Sequence, residues 1–306
     1  MSAILAQSRP APRAQDSIVI DELLALRFWP PAQGKQSIRS ALRDGRHLSP
    51  VRGRGMEFDD VRAYQHGDDT RHLDWRLLAR TGEPHTRLFR EEREKPVYLL
   101  ADMGFQMQFA SRGHLKSLLV AYASGLISWA AHSGGDRVGG QLLLADGESR
   151  FFRPRSNRQN ISAMLAEFAN GVGMVGSSRS QLTDALVTAE GQLPTGSRCY
   201  LMSDFHHVDS DTERLLERLA RRCELNLIMI TDPLERALPE ADSLCFSSGG
   251  QRISVAAQDR QTRDRYAANF KARQSRIERL GQFPGIYSYH WSTDAHPLFQ
   301  TEEFGG

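Results

Sequence analysis

The pattern of apolar and polar positions changes at about residue 95. From residue 96 onward, continuous apolar runs alternate with longer stretches whose apolar residues recur at helical spacing. Runs such as PVYLLAD, RCYLMSD and ELNLIMITD are typical of strands that are buried on both faces of a sheet. Strands that alternate with helices predict an α/β fold with a mostly parallel, doubly wound sheet.

The same pattern places the remaining elements of this fold. Helices are predicted at about residues 113–133, 157–170, 181–191 and 257–281. Another helix is expected to begin at Ser210, which forms a capping box with Glu213. A tight turn joins strands in RVGGQLLLAD and SRFFRP, a hairpin is expected at about residues 243–255, and GIYSYHW is the last strand.

The chain before this domain divides into a tail and a charged segment. Residues 1–20 carry prolines and small polar residues, and we expect them to form a disordered tail. Residues 21–95 form an N-terminal segment, in which DELLALRF predicts a helix capped by Asp21. Residues 96–300 form the α/β domain, and we expect the charged segment to pack on it.

Three of the predicted strands end in an aspartate: Asp102, Asp204 and Asp232. In open α/β sheets, binding sites form at the carboxyl ends of strands, where the strand order reverses. A sheet ordered 3-2-1-4-5 makes the first and fourth strands neighbours, so that Asp102 and Asp204 face one crevice. Phe105 and Phe205 follow these aspartates and are candidate aromatic anchors for a partner.

A dense cluster of charges lies in RAYQHGDDTRHLDWRLLART, residues 62–81. Its glycine and two aspartates predict a turn, and the short helix that follows ends at Gly82. Arginine–carboxylate pairs fix the shape of a segment, so we interpret the cluster as a structural clamp. A docking surface and a catalytic carboxylate cluster are the alternatives. The residues of the clamp are Arg62, Tyr64, Gly67, Asp68, Asp69, Arg71, Asp74, Trp75 and Arg80.

Composition and charge restrict the class of partner. The 306-residue chain is 40% hydrophobic, which is ordinary for a globular protein, and its net charge of +2 gives no reason to expect nucleic acid. LLVAYASGLISWAA is shorter than the ~20 residues that cross a bilayer, so we expect no membrane insertion. Cys199, Cys223 and Cys245 lack metal-ligand spacing and are interpreted as reduced thiols, which predicts a cytoplasmic protein.

The predicted sheet and its aspartates resemble a von Willebrand factor type A domain. The metal-ion-dependent adhesion site of that family reads Asp-x-Ser-x-Ser, then Thr, then Asp, and usually holds magnesium. Gly104 and Gln106 stand where the family has serines, so the resemblance implies a degenerate site. Magnesium prefers octahedral oxygen ligands, so Asp102, Ser180 and Asp204 would hold Mg²⁺ weakly and we expect no cofactor. The positions that correspond to the site are Asp102, Gly104, Gln106, Ser180 and Asp204.

The charged segment carries a narrower resemblance, which spans about residues 50–300. The family catalogued as domain of unknown function fifty-eight has a pattern similar to RGRGMEFDDVRAYQHGDDTRHLDWRLLARTGEPHTRLFREEREKPVYLLAD, and its Asp-Pro-Leu-Glu motif is matched in TDPLERALPE. This resemblance implies a von Willebrand factor type A-like fold and an association with MoxR-type AAA+ ATPases, which act in the maturation and assembly of other proteins. Many members carry two membrane helices near the start, and this chain resembles the short, soluble branch.

Two functions from different classes are compatible with these features. The first is a non-enzymatic adaptor or chaperone cofactor that works with a MoxR-type AAA+ ATPase and its client proteins, with the crevice around Asp102, Ser180 and Asp204 as the contact site. The alternative is a metal-dependent hydrolase, a phosphoesterase, that uses the Asp-rich crevice. His206 and His207 could join a metal site there, although exposed loop histidines are the simpler interpretation. The sequence has no P-loop for nucleotide hydrolysis.

Overall fold

The computed structural model describes most of the α/β domain and parts of the segment before it. The described residues are 17–28, 56–65, 73–91, 95–176, 182–239, 244–248, 251–255 and 258–298. The chain forms two compact units, one of residues 43–94 and the other of residues 1–42 together with 95–306. Each unit is described by itself below.

Ten strands and eight helices lie within the described residues. The strands are β1 (Met56–Ala63), β2 (His85–Glu91), β3 (Pro96–Met103), β4 (Arg137–Leu144), β5 (Ser149–Arg155), β6 (Arg198–Ser203), β7 (Glu224–Thr231), β8 (Leu244–Ser248), β9 (Gln251–Val255) and β10 (Ile286–Ser292). The helices are α1 (Ile20–Ala25), α2 (Trp75–Thr81), α3 (Lys116–Ser133), α4 (Arg158–Gly171), α5 (Leu182–Gln192), α6 (Ser210–Ala220), α7 (Pro233–Arg236) and α8 (Arg260–Leu280). Among these helices, none combines the length and the apolarity that a bilayer crossing requires.

The larger unit is built on a six-stranded sheet with the order β10-β7-β6-β3-β4-β5. Its strands run parallel except β5, which is antiparallel to β4. The chain therefore winds outward from β3 in one direction and from β6 in the other, and the strand order reverses between these two strands. This confirms the predicted doubly wound α/β fold and the predicted 3-2-1-4-5 order, with β10 added beyond β7. The β8–β9 pair is the predicted hairpin and forms a separate two-stranded sheet.

Helices cover both faces of the sheet, and its central strands therefore bury every side chain. Along β3, Val97 and Leu99 point into one core, whereas Tyr98 and Leu100 point into the other, as the two-residue repeat of a strand requires. Helices α1, α3 and α4 contribute their buried apolar residues to the first core. Helices α5, α6 and α8 contribute theirs to the second core.

Helix α1 packs within the larger unit, although the sequence assigned it to the N-terminal charged segment. Leu23 is completely buried and belongs to the first core, and its carbonyl oxygen accepts a 3.0 Å hydrogen bond from Nε1 of Trp129. Gly125 in α3 permits this approach, because a Cβ atom there would lie 2.7 Å from Cδ1 of Leu26. The cap was predicted wrongly, since the N-cap of α1 is Val19 and Asp21 lies in the first turn.

Two other helix starts differ from the predictions for local reasons. Helix α3 begins at Lys116 rather than near residue 113, because Gly113 has a φ of 79° and lies against the carbonyl oxygen of Thr293. Helix α6 is capped by Asp209 rather than by Ser210. The Oδ1 atom of Asp209 accepts hydrogen bonds from the amide and the hydroxyl of Thr212, at 2.8 and 2.7 Å.

The smaller unit contains the antiparallel pair β1–β2, and α2 lies between these strands in the sequence. Asp74 caps α2 by accepting hydrogen bonds from the amides of Arg76 and Leu77, both at 3.0 Å. Gly82, with a φ of 76°, ends the helix as predicted.

The predicted clamp falls only partly on described residues. Gly67, Asp68, Asp69 and Arg71 lie outside the described residues, as does the side chain of Arg62. Of the other members, Tyr64 is half-buried and Trp75 and Arg80 are exposed, while Asp74 serves as the cap of α2. The clamp therefore stays a prediction.

His290 is expected to make the protein lose stability in mild acid. It lies in β10, its Nε2 atom is 2.7 Å from Oγ1 of Thr231, and burial lowers its pKa to about 4. The unfolded chain takes up this proton at a pH of about 6.5. The contribution of neutral His290 to stability is therefore complete above pH ~6.5 and is lost as the pH falls to about 4. We expect a loss of about 2 kcal/mol after allowance for partial exposure.

The substitution His290→Gln removes this titration and keeps a polar side chain beside Thr231. Urea denaturation at neutral and mildly acidic pH should show a smaller acid-dependent loss in the variant than in the wild type. Burial also lowers the pKa of His114 and of His206, but both residues remain in both proteins. An equal loss in the two proteins would show that His290 does not carry the effect.

Candidate functional site

The site lies at the carboxyl edge of the sheet, where β3 and β6 are neighbours and their order reverses. Ala101 pairs with Met202 across the two strands, so Asp102 and Ser203 follow side by side. The carboxylate of Asp102, which is 2% exposed, accepts a 2.7 Å hydrogen bond from the Ser203 hydroxyl and a 2.9 Å bond from the Gly104 amide. Asp102 thus joins the ends of both strands to the loop after β3.

Asp204 forms a buried ion pair with the ammonium group of Lys116. Its Oδ2 atom lies 2.9 Å from Nζ of Lys116, and Nζ lies 2.6 Å from Oε1 of Glu235. The side chain of Lys116 is 2% exposed and that of Asp204 is 5% exposed, so the pair is shielded from water. The Oδ1 atom of Asp204 accepts a 3.0 Å hydrogen bond from the amide of His206.

Electrostatics keeps both members of this pair charged. Burial lowers the pKa of Lys116, but the charges of Asp204 and Glu235 outweigh it and hold that pKa above its ordinary value. Burial raises the pKa of Asp204, but the ammonium group of Lys116 outweighs this effect and holds the pKa at about 2. At neutral pH the site therefore contains an ammonium group between two carboxylates.

The charge pairing continues from Glu235 to α8. The second oxygen of Glu235 lies 2.5 Å from Nη2 of Arg273, and Nη1 of the same arginine donates to Nδ1 of His206. Burial lowers the pKa of His206, which leaves its ring neutral and able to accept this bond. The series Asp204, Lys116, Glu235 and Arg273 has two positive and two negative charges, so its formal charges cancel.

Two polar residues behind the ion pairs fix the surrounding loops. The side chain of Gln108 donates to the carbonyl oxygens of Met103 and Gly171 and accepts from the Ser117 hydroxyl and the Gly173 amide. Asp232, the third strand-ending aspartate, serves a similar purpose at the end of β7. It accepts from the amides of Ser111 and Leu234 and from the hydroxyl of Thr293. These hydrogen bonds tie the loops at this edge to the neighbouring elements.

A cavity of about 980 Å³ opens over these ion pairs. Its apolar lining residues are Phe105, Phe109, Leu115, Met174, Val175, Phe205 and Phe270. Val175 is 94% exposed at its rim, whereas Phe205 is 1% exposed and belongs to the second core. Phe205 is therefore not the exposed anchor that the sequence suggested. It has a φ of 53°, an uncommon backbone conformation for an aromatic residue, directly after Asp204.

The residues of this edge that the structure describes do not fit a divalent metal ion. Gly104 contributes its amide to Asp102, and the Gln106 side chain lies 3.0 Å from Nε2 of His207. Asp204 is occupied by Lys116, and Ser180 lies outside the described residues. Within the described part of the chain, no group of three or more histidine, cysteine, aspartate or glutamate residues is placed to hold a metal. His206 faces Arg273, whose charge opposes a bound cation.

Comparison with known proteins shows the family of this chain. The family described as "Protein of unknown function DUF58" matches residues 60–276, which is more than two thirds of the chain. The chain belongs to this family. It is 31% identical over 207 residues to an uncharacterized protein of Mycobacterium tuberculosis. The matched region covers 67% of this chain and 64% of that relative, so the chain spans less than two thirds of the relative's length.

Solved structures with low sequence identity also align with this DUF58 chain. A conserved hypothetical protein, BatB, from Bacteroides thetaiotaomicron is 14% identical with a TM-score of 0.40, over 69% of this chain and 95% of that one. A von Willebrand factor type A protein from Catenulispora acidiphila is 9% identical with a TM-score of 0.33, over 72% of this chain and 42% of that one. The strand order of this chain is that of the predicted von Willebrand factor type A-like sheet.

Sequence reasoning found both aspartates of the crevice but missed the cation that pairs with Asp204. Lys116 is separated by 88 residues from Asp204 and by 119 residues from Glu235, so no local spacing pairs them. Two signals were present in the sequence. Lys116 is the one lysine, arginine or acidic residue of the apolar run from 116 to 133, and Glu235 is the glutamate of the Asp-Pro-Leu-Glu motif.

Breaking the buried ion pair is expected to destabilise the protein strongly. Lys116→Met removes the ammonium group and leaves Asp204 and Glu235 as buried carboxylates, so we expect the free energy of unfolding to fall by about 3–5 kcal/mol. Lys271→Met is the matched control, because Lys271 is exposed on α8 and its replacement should cost about 0.5 kcal/mol or less. Urea denaturation of the full chain measures both. Similar small losses in the two variants would contradict a stabilising role for Lys116.

Proposed function

We propose that this DUF58 protein is a non-enzymatic adaptor that binds a MoxR-type AAA+ ATPase and works with it in the maturation or assembly of client proteins. The partner contacts the cavity at the carboxyl edge, over Asp102 and Asp204. Membership in the family, together with the α/β fold, favours a protein-interaction domain. The ATPase, its client proteins and the chaperone-cofactor role are the specific parts of this proposal.

The observation that carries the proposal is the combination of satisfied charges and an apolar rim. The carboxylates beneath the cavity are occupied by Lys116 and by Ser203, so they are poor candidates for a base, a nucleophile or a metal ligand. Above them, apolar side chains such as Phe109 and Val175 line a cavity large enough for one or two side chains of another protein. Apolar contact in a preformed pocket supports binding rather than chemistry.

Two features of the chain support a cytoplasmic location for this function. Cys199 and Cys223 are free and buried, and burial raises the pKa of both thiols. Such thiols stay protonated and unreactive, which suits a reducing compartment.

A variant of the cavity rim should weaken the association with the ATPase. Val175→Asp places a charge on an apolar contact surface and should lower the affinity for the MoxR-type ATPase of the same host by about tenfold or more, which corresponds to ~1.4 kcal/mol. Val187→Asp is the matched control, because Val187 is 55% exposed on α5 and does not line the cavity. Binding is measured by retention of the purified ATPase on the immobilised full chain in the presence of ATP. Absence of retention by the wild type, or equal loss in both variants, would overturn the proposal.

The hydrolase alternative makes a different prediction. A phosphoesterase that used the crevice would turn over substrates with Mn²⁺ and would lose that activity in the Asp204→Ala variant. Because Lys116 already neutralises Asp204, we expect no turnover that depends on Asp204 in a broad screen of phosphomonoesters, phosphodiesters and nucleic acids. Asp204-dependent hydrolysis by the purified protein would replace the adaptor proposal with the hydrolase.

A further inference from the structure

The position of Lys116 gives the crevice a cation of its own. Its ammonium group lies between Asp204, after β6, and Glu235, in the short helix after β7. It stands at the carboxyl edge, where the resemblance to von Willebrand factor type A domains implies a divalent ion. We propose that the ammonium group of Lys116 is the permanent cation of this crevice and replaces the metal ion, so that the site works without metal.

The location of Lys116 in its helix supports this assignment. Lys116 is the first residue of α3, where the helix dipole disfavours a positive charge. The residue before it, Leu115, gives the helix no side-chain cap. Nothing in the helix itself therefore favours a buried lysine at this position. The interaction with Asp204 and Glu235 accounts for its placement, as metal ligands account for the placement of an ion.

The charge balance of the crevice also opposes a divalent ion. Lys116 and Arg273 carry two positive charges, and Asp204 and Glu235 carry two negative charges, all within one series of contacts of 2.5–2.9 Å. A divalent ion would add two positive charges to a buried group that is already neutral. It would also compete with an ammonium group that is tethered to the chain and cannot diffuse away.

Asp102, the other aspartate of the site, is committed as well. Both oxygens of Asp102 accept hydrogen bonds, one from Ser203 and one from Gly104. Gly104 has no side chain, so its position offers no hydroxyl oxygen, and its amide donates to Asp102. Magnesium requires six oxygen ligands in near-octahedral geometry, and it gives up water reluctantly. The donor set here suits an ammonium group, which needs only two or three acceptors.

This assignment has a consequence for recognition, which rests on the proposed function. A metal-containing site captures a partner carboxylate as the last ligand of its ion, whereas Lys116 already contacts two carboxylates and is 2% exposed. The partner therefore binds the apolar rim through an apolar side chain and not through an acidic side chain.

The test is a metal titration of the wild type, which requires neither a partner nor an active complex. Isothermal titration calorimetry with Mg²⁺ and with Mn²⁺ should show no binding in the micromolar range. The melting temperature should change by less than about 1 °C between EDTA and millimolar Mn²⁺, as expected for a ligand without a site. Micromolar binding of either ion to the wild type that is lost in the Asp102→Ala variant would overturn the proposal.

A second variant tests whether the protein gains metal binding when Lys116 is replaced. Lys116→Ser removes the ammonium group and leaves the carboxylates of Asp204 and Glu235 with space between them for an ion and its water ligands. Millimolar Mn²⁺ should raise the melting temperature of this variant by about 5 °C or more. Lys271→Ser, on the exposed face of α8, is the control and should not respond.

The outcomes separate this inference from the proposed function. A folded Lys116→Ser variant that Mn²⁺ does not stabilise would show that Lys116 does not occupy the position of an ion. If Lys116→Ser does not fold without metal, its recovery on refolding with Mn²⁺ supports the inference, and failure to recover contradicts it. The adaptor proposal stands or falls on ATPase retention, which these titrations do not measure.

Discussion

A buried ammonium group imposes the constraint on which this edge of the protein depends. Removing a lysine from water is unfavourable by several kcal/mol unless carboxylates surround it in good geometry. The fold therefore has to bring Asp204 and Glu235 within hydrogen-bonding distance of Lys116, and it does so from three separate elements. Because the three elements meet only in the folded sheet, the ion pairs tie the start of α3 to the loop after β6 and to α7.

The strand order explains why this constraint can be met. Residues at the carboxyl ends of β3, β6 and β7 lie along one edge, because these strands are adjacent and parallel. Asp102, Asp204 and Asp232 each end one of these strands, and each accepts backbone amides from the loop that follows. The aspartates therefore shape the loops first. The position of Asp204 beside Lys116 is a consequence of that local capping combined with the parallel sheet.

The sequence predicted the fold well because burial on both faces leaves an unmistakable local pattern. The run PVYLLAD is continuous and apolar since its side chains alternate between two cores, and its final aspartate marks the edge. The crevice was predicted in outline from Asp102 and Asp204. Lys116, Glu235 and Arg273 were missed because their contacts join residues far apart in the chain, and because a lysine that begins an apolar helix does not reveal its partners. Helix starts near Gly113 and Ser210 were misplaced because a tertiary contact and a neighbouring aspartate decided them.

The ion pairs also determine the position of α8, which forms one wall of the cavity. Phe270, Ile277 and Leu280 are the buried residues of this 21-residue helix, so apolar packing fixes it along a narrow stripe. On the cavity side, Arg273 is held by Glu235, and Arg276 is held by Glu213 and by the carbonyl oxygen of Val208. Since Glu235 also contacts Lys116, the wall and the floor of the cavity share one carboxylate. A change at Lys116 should therefore alter the shape of the cavity as well as its charge, because it removes one of the two groups that hold Glu235 in place.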